Sequence, residues 1–128
     1  MAIAGMGTDI IEIDRIAQNL ARTPRLAARI LTSREMQIFA EHSEPARYLA
    51  KRFAAKEAAV KALGTGIGRG ISWQHIEVCN DQLGAPFLLF SGEFAVHCDK
   101  RAIVSSHLSI SDEKHYAVAT VILETATA

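Results

Sequence analysis

The sequence predicts a single α+β domain, with helices in the first half of the chain packed on an antiparallel sheet. Between residues 13 and 63 apolar residues recur at helical spacing, whereas after residue 70 they alternate every second residue. This segregation of helices from strands is typical of α+β domains. The 128 residues have the length of one domain, and no repeat or linker divides them, so we expect one domain over 1–128.

The first predicted element is a strand from Ala2 to Ile10. Gly5 and Gly7 within it indicate a bulge or a close approach of another backbone. If side chains alternate regularly, Asp9 points to the same side as Ile11, which is an unfavourable place for an unpaired carboxylate. Asp9 is either the cap of the next helix or a metal ligand, and the strand alone favours neither.

Four helices are predicted to follow, with ends marked by capping signals. The signals are Thr23 and Pro24 for the second helix, the capping box Thr32-Ser-Arg-Glu35 for the third, and Pro45 and Gly64 for the fourth. The predicted helices run from Ile13 to Ala21, from Pro24 to Leu31, from the capping box to His42, and from Pro45 to Leu63.

The second half of the chain predicts two pairs of strands joined by polar turns. The predicted strands run from Ile71 to Cys79, Pro86 to Ser91, Ile103 to Ile110 and His115 to Leu123, and a short helix runs from Glu93 to Lys100.

The fourth predicted helix carries Glu57 and Lys61 one turn apart, beside its apolar stripe. Such a pair is commonly an exposed ion pair worth roughly 0.2–0.5 kcal/mol. It can also be a buried structural pair, which is costly, or a site in which the carboxylate holds a hard cation and the ammonium meets a phosphate. The loop Gly64-Thr-Gly-Ile-Gly-Arg-Gly70 favours the site, because its four glycines let the backbone approach a ligand closely.

The net charge of zero conceals a basic segment, which we define as residues 15–34. It contains five arginines and no Asp or Glu, so it carries +5 and the remaining residues sum to −5. Zero net charge argues against a general nucleic-acid binder, whereas a local basic segment favours an acidic partner. The arginines are Arg15, Arg22, Arg25, Arg29 and Arg34.

Composition also predicts a cytoplasmic protein. No apolar run approaches the length of a membrane span, and the first residues lack the pattern of a secretory signal, so we expect no membrane partner. Cys79 and Cys98 are unclustered and lack metal-ligand spacing, as is typical of reduced cysteines in a cytosolic protein.

A row of polar residues lies on one face of the strand predicted from Ile103 to Ile110: Ser105, His107, Ser109 and Ser111. Such a row is usually the solvated face of a sheet, and the strand alone favours that interpretation. The alternative is a histidine with hydroxyls around it that bonds a phosphate or a reacting hydroxyl.

Three segments together resemble the signature segments of a known family. They run from Gly5 to Ile16, from Arg52 to Ile67 and from His107 to Ser111. In this order they resemble the holo-acyl-carrier-protein synthase family, the small bacterial type of 4′-phosphopantetheinyl transferase. The resemblance covers nearly the whole chain, and its most specific part is the pairing of Gly-x-Asp-Ile-x-Glu with Lys-Glu-Ala-x-x-Lys.

The resemblance implies a reaction that moves 4′-phosphopantetheine from coenzyme A to a serine of apo-acyl carrier protein and releases 3′,5′-ADP. It implies Mg²⁺ held by Asp9 and Glu57, and catalytic roles for Glu57, Lys61 and His107, the last two near the coenzyme A diphosphate. The proton of the serine would go to Glu57 or to a metal-held water. Further implied residues are Gly64, Thr65 and Gly66 in the nucleotide pocket, Ser109 beside His107, and Arg15, Arg22 and Arg25 against the acidic carrier protein.

The resemblance also implies a homotrimer with sites at subunit interfaces, in which His107 serves a site whose metal ligands belong to the neighbouring chain. Two other classes of function are alternatives to this one. A non-catalytic module that binds a nucleotide or an acidic protein would require Asp9, Glu57 and Lys61 all to be structural. A coenzyme A pyrophosphatase would release 3′,5′-ADP without any carrier protein.

Overall fold

The computed structural model describes residues 1–126, which form five helices and five strands. The helices α1–α5 are Ile13–Arg22, Leu26–Ile30, Ser33–Glu41, Pro45–Leu63 and Gly92–Lys100. The strands β1–β5 are Ala2–Glu12, Ile76–Asn80, Pro86–Phe90, Ile103–Asp112 and Tyr116–Thr125. Within this range no helix combines the length and the apolar character needed to cross a membrane.

The strands form a three-stranded sheet in the order β1-β5-β4 and a separate hairpin of β2 and β3, all antiparallel. One face of the larger sheet packs on α4, where alternate residues of β5 are buried: Ala117, Ala119, Val121 and Leu123. The α+β architecture predicted from the sequence is therefore confirmed.

The central element is α4, which has the predicted bounds Pro45–Leu63 and ends at Gly64 in the left-handed conformation, at φ 87°. Alanines line most of its buried surface, and Ala54, Ala58 and Ala59 have no exposed area. Because alanine favours a helix and adds little width, the sheet approaches this helix closely.

The close approach predicted at Gly5 and Gly7 is present, and the neighbouring backbone is that of α4. A Cβ on Gly7 would lie 2.7 Å from the Ala62 nitrogen and closer still to the Ala58 carbonyl oxygen. A Cβ on Gly5 would collide with the carbonyl group of Ala62. The predicted bulge is also present, since the β1–β5 register shifts between Ile3 and Gly5.

The predicted start of the second helix was wrong. The Thr23 amide donates to Asn19 O at 2.8 Å and so closes α1, while its carbonyl accepts from Leu26 N at 3.0 Å in a turn. Since the Thr23 backbone already serves as the end of α1, α2 begins only at Leu26. The capping box of Thr32 and Glu35 is confirmed at the start of α3.

The strand predicted from Ile71 was also wrong in its first residues. The Ser72 hydroxyl accepts a bond from Gln74 N and caps a 3₁₀ turn, Trp73–His75. Strand β2 therefore begins at Ile76, and Gln74 lies in a turn rather than in a sheet.

Substituting Gly7 by alanine should destabilise the protein strongly, because the added methyl has no space against the α4 backbone. We expect a loss of about 1–3 kcal/mol or more in the free energy of unfolding, measured by urea denaturation. As a control, Glu12→Ala at the exposed end of the same strand should change it by less than about 0.5 kcal/mol. An equally stable Gly7→Ala variant would contradict the close packing.

Candidate active site

Three of the predicted site residues meet between β1 and α4. Asp9 lies opposite the buried Ala119 of β5, so its side chain is on the face of the sheet that packs on α4. The Lys61 ammonium lies 2.7 Å from Asp9 Oδ1 and donates to Thr8 O at 3.1 Å. The aspartate on the first strand and the lysine of the central helix are thus joined directly.

This geometry identifies the partner of the Lys61 ammonium. Lys61 forms its ion pair with Asp9, across the sheet–helix interface, and its side chain is 51% exposed. It is therefore neither the cation of a simple pair along the helix nor part of a buried pair. The ammonium is held by a carboxylate and remains accessible to a ligand.

Glu57 lies one turn before Lys61 and is half-buried. Burial raises the pKa of its carboxyl, the negative charge of Asp9 raises it further, and the positive charge of Lys61 lowers it. The Asp9 carboxylate therefore lies close enough to Glu57 to disfavour the negative charge of Glu57. A cation between them would offset this repulsion.

The donor set fits a hard cation with few protein ligands. Among residues 1–126 no group of three or more His, Cys, Asp or Glu is arranged to hold a metal. Asp9 and Glu57 would thus supply two carboxylate ligands and leave the other positions to water and substrate oxygens, as Mg²⁺ prefers. A closed structural zinc site needs more protein ligands than this pair provides.

The glycine-rich loop directly after α4 has backbone conformations that favour glycine. Gly64, Gly66 and Gly68 have positive φ angles, and a Cβ on any of them would meet no atom within 4 Å. The Thr65 hydroxyl donates to Gly66 O at 3.1 Å. The loop therefore presents open backbone next to the end of the helix that carries Glu57 and Lys61.

His107 is not brought together with Asp9 in one chain. His107 lies opposite Ile122 of β5, whereas Asp9 lies opposite Ala119, so the two side chains are on opposite faces of the same sheet. The His107 ring is instead 2.5 Å from Glu124 Oε1, and its side chain is 60% exposed. This contact is the main cause that lowers the pKa of the Glu124 carboxyl.

Glu124 is a further polar residue of this face, and no motif in the sequence marks it. The Ser105 hydroxyl also donates to Glu124, at 3.2 Å, so the carboxylate joins two members of the polar row. Only the β4–β5 register brings these residues together, and no local signal in the sequence specifies that register.

The face of the sheet opposite α4, which we call the open sheet face, combines this polar row with apolar residues. Met6 and Ile10 are each 64% exposed on it, and Tyr116 is also exposed. It includes Met6, Thr8 and Ile10 of β1, Ser105, His107, Ser109 and Ser111 of β4, and Tyr116, Val118, Thr120, Ile122 and Glu124 of β5. Exposed apolar residues grouped on one sheet face are typical of an interaction surface.

The arginines of the basic segment lie at the surface. Arg15, Arg22 and Arg25 are exposed on α1 and on the turn after it. Arg22 and Arg29 line one shallow groove together with Leu26. Helix α1 packs on α4, so the basic segment borders the helix that carries Glu57 and Lys61.

Comparison with known proteins agrees with the geometry. The family model described as the 4′-phosphopantetheinyl transferase superfamily matches residues 5–121. A holo-[acyl-carrier-protein] synthase of Alteromonas mediterranea is 69% identical, over 98% of this chain and 99% of that protein.

Two solved structures extend the comparison to the fold. The crystal structure of holo-[acyl-carrier-protein] synthase from Neisseria meningitidis has a TM-score of 0.91 and 39% identity, covering 96% of this chain and 99% of that one. The Bacillus anthracis holo-(acyl-carrier-protein) synthase in complex with CoA (3′,5′-ADP) has a TM-score of 0.82 and 41% identity, covering 98% and 100%. The chain therefore belongs to the 4′-phosphopantetheinyl transferase superfamily.

Proposed function

We propose that this chain is a holo-acyl-carrier-protein synthase, which transfers 4′-phosphopantetheine from coenzyme A to a serine of apo-acyl carrier protein and releases 3′,5′-ADP. The observation that carries the proposal is the meeting of Asp9, Glu57 and Lys61 beside an open glycine-rich loop. The names of the similar proteins support it, as does the nucleotide bound to the Bacillus anthracis relative.

Phosphoryl transfer depends mainly on positioning and on charge neutralisation. Asp9 and Glu57 would hold Mg²⁺, which when bound would neutralise charge on the diphosphate. Lys61, half-exposed at the same place, can offset charge on the departing phosphate. The loop residues Gly64, Thr65 and Gly66 would line the nucleotide with backbone groups.

The acceptor serine must lose its hydroxyl proton during the reaction. Glu57 is the first proposed acceptor, because its carboxyl group lies with Asp9 and Lys61 beside the open glycine-rich loop. The alternative acceptor is a water molecule oriented by Asp9 or Glu57.

A trimer would complete the site with residues of a neighbouring chain. His107 and Ser109 lie on the open sheet face, whose apolar residues suit contact with another copy of the chain. In this arrangement His107 of one chain would approach the diphosphate bound by Lys61 of the next. The proposed location of the reaction is the cytoplasm. The basic segment would receive the acidic carrier protein through Arg15, Arg22 and Arg25.

Intact-mass spectrometry of apo-acyl carrier protein tests the reaction directly. Incubation with this protein, coenzyme A and Mg²⁺ should add one phosphopantetheine group per carrier protein, and a chelator should prevent the addition. No added mass with several acidic carrier proteins would refute the proposed transfer. Release of 3′,5′-ADP without carrier protein would favour a coenzyme A pyrophosphatase instead.

A mixing experiment tests the shared site. Glu57→Ala alone should lose about 10²-fold or more in turnover, as should Asp9→Ala, because each removes a carboxylate from the cation site. Co-expression of Glu57→Ala with His107→Ala should restore activity, because about a quarter of the sites in random trimers would combine an intact Glu57 with a neighbour's intact His107. Turnover per trimer measures the recovery.

The control is co-expression of Glu57→Ala with Asp9→Ala. Both of those residues lie on the same side of one chain, so no mixture of these variants forms an intact site. Equal activity in the two mixtures would contradict a site shared between chains. Normal turnover by Glu57→Ala alone at ordinary Mg²⁺ concentration would contradict the assignment of the cation site.

Arg15→Glu should raise the KM for carrier protein about three- to tenfold and leave the KM for coenzyme A unchanged, because an exposed charge steers the acidic partner. The difference from the wild-type protein should shrink as salt is added. Lys100→Glu, which makes the same charge change at the exposed end of α5, is the control. An unchanged KM in Arg15→Glu would show that the basic segment is a solvated face.

A further inference from the structure

Helix α2 has only five residues, and its end is held by two side chains from distant parts of the chain. Gln74 Nε2 donates to Leu31 O at 2.7 Å and lies 3.1 and 3.2 Å from the carbonyl oxygens of Ala28 and Arg29. Lys56 Nζ donates to Ile30 O at 2.7 Å. Each of the four carbonyl groups that a helix end leaves unpaired thus has a side-chain donor within 3.2 Å.

These bonds matter because so short a helix is unstable alone. Fixing the first turn of a helix costs more than its hydrogen bonds return, and isolated helices below roughly 12 residues are marginal. The position of α2 therefore depends on the groups that bind its end, together with the burial of Ala27 and Ile30.

Lys56 is the first of these groups, and it is the residue next to Glu57. It is fully buried, forms an ion pair with Glu35 at 2.6 Å, and donates to Trp73 O at 3.3 Å. Burial lowers the pKa of Lys56, and the carboxylate of Glu35 acts against that shift. Glu35 also accepts from the Val78 amide, at 2.8 Å.

A buried ion pair is a poor way to gain stability. Replacing such a pair by apolar residues of similar volume is often neutral or stabilising, because the pair must be removed from water. Lys56 instead fixes the relative positions of three elements, since its ammonium has bonds to α2, to Glu35 of α3 and to the turn at Trp73. An apolar side chain at this position would fill the space without fixing these elements to one another.

Gln74 is the second group, and it lies in the 3₁₀ turn that follows the glycine-rich loop. The Gln74 side chain is exposed, so packing in the core does not explain why a glutamine occupies this position. Its amide joins the loop side of the site to three carbonyl groups at the end of α2, while Lys56 joins the helix that carries Glu57 to the fourth, that of Ile30.

We propose that Lys56 and Gln74 are positioning residues that hold α2, and with it Arg25 and Arg29, at a fixed distance from Glu57. The inference rests on the proposed function of the basic segment as the surface that receives carrier protein. The substrate hydroxyl is carried by a macromolecule, so its place in the site depends on where that macromolecule is held. A displacement of about 1 Å in such a reaction can cost about 10²-fold in rate.

Gln74→Met is the primary test, because it removes the donor from an exposed side chain and leaves the buried network intact. We expect kcat with saturating carrier protein to fall about tenfold, while the KM for coenzyme A stays within about twofold. Amide hydrogen exchange in residues 26–31 should become faster. Gln82→Met, the same change in the exposed turn between β2 and β3, is the matched control.

The double variant Lys56→Met/Glu35→Gln tests the buried group without leaving a charge unpaired. Its melting temperature and trimeric mass report whether the fold survives, and its kcat with carrier protein should fall as in Gln74→Met. Wild-type kcat in Gln74→Met would overturn the inference, as would an equal loss of coenzyme A affinity in that variant, since the latter indicates general damage to the site.

The same assay separates this inference from the proposed function. If Arg15→Glu raises the KM for carrier protein and Gln74→Met leaves kcat unchanged, the docking surface stands and the positioning role fails. If Arg15→Glu has no effect on that KM, the docking surface itself fails. If both variants act as expected, α2 is the element that positions the carrier protein relative to the site.

Discussion

The structure depends on one close contact, in which the backbone of β1 lies directly against the backbone of α4. Gly5 and Gly7 leave no room for a side chain there, and Ala58 and Ala62 present bare helix surface. This contact fixes the position of β1 relative to α4. It brings Asp9 within hydrogen-bond distance of Lys61, so the packing of the core and the geometry of the site have the same cause.

Neighbouring residues of α4 use charge in opposite ways. Lys56 is buried and forms an ion pair with Glu35, whereas the Glu57 side chain lies near Asp9 and is partly exposed. Successive side chains on a helix point about 100° apart, so one turn can serve the interior and a site at once. The helix thereby connects a rigid buried network on one side to an accessible group of charges on the other.

Local chemistry in the sequence predicted the elements with strong local signals. The α+β architecture, the bounds of α4, the left-handed Gly64 and the capping box of α3 all follow from residues close together in the chain. Asp9, Glu57 and Lys61 were identified through motifs and do meet in the structure. Their roles with metal and coenzyme A remain proposals.

The features that the sequence did not predict depend on contacts between distant segments. The start of α2 was misplaced because the end of α1 uses the Thr23 backbone. The partnership of Glu124 with His107 requires the strand register, and the roles of Lys56 and Gln74 require the place of α2 on α4. No pattern of propensity or spacing within one segment contains that information.

The order of strands in the sheet has a consequence for how the chain is made. Strand β5 lies between β1 and β4, yet it follows both of them along the chain. During synthesis β1 and β4 therefore lack their β5 partner, and each has an unpaired edge until β5 has been synthesised. A nascent chain at that stage has unpaired strand edges, which favour association with other chains.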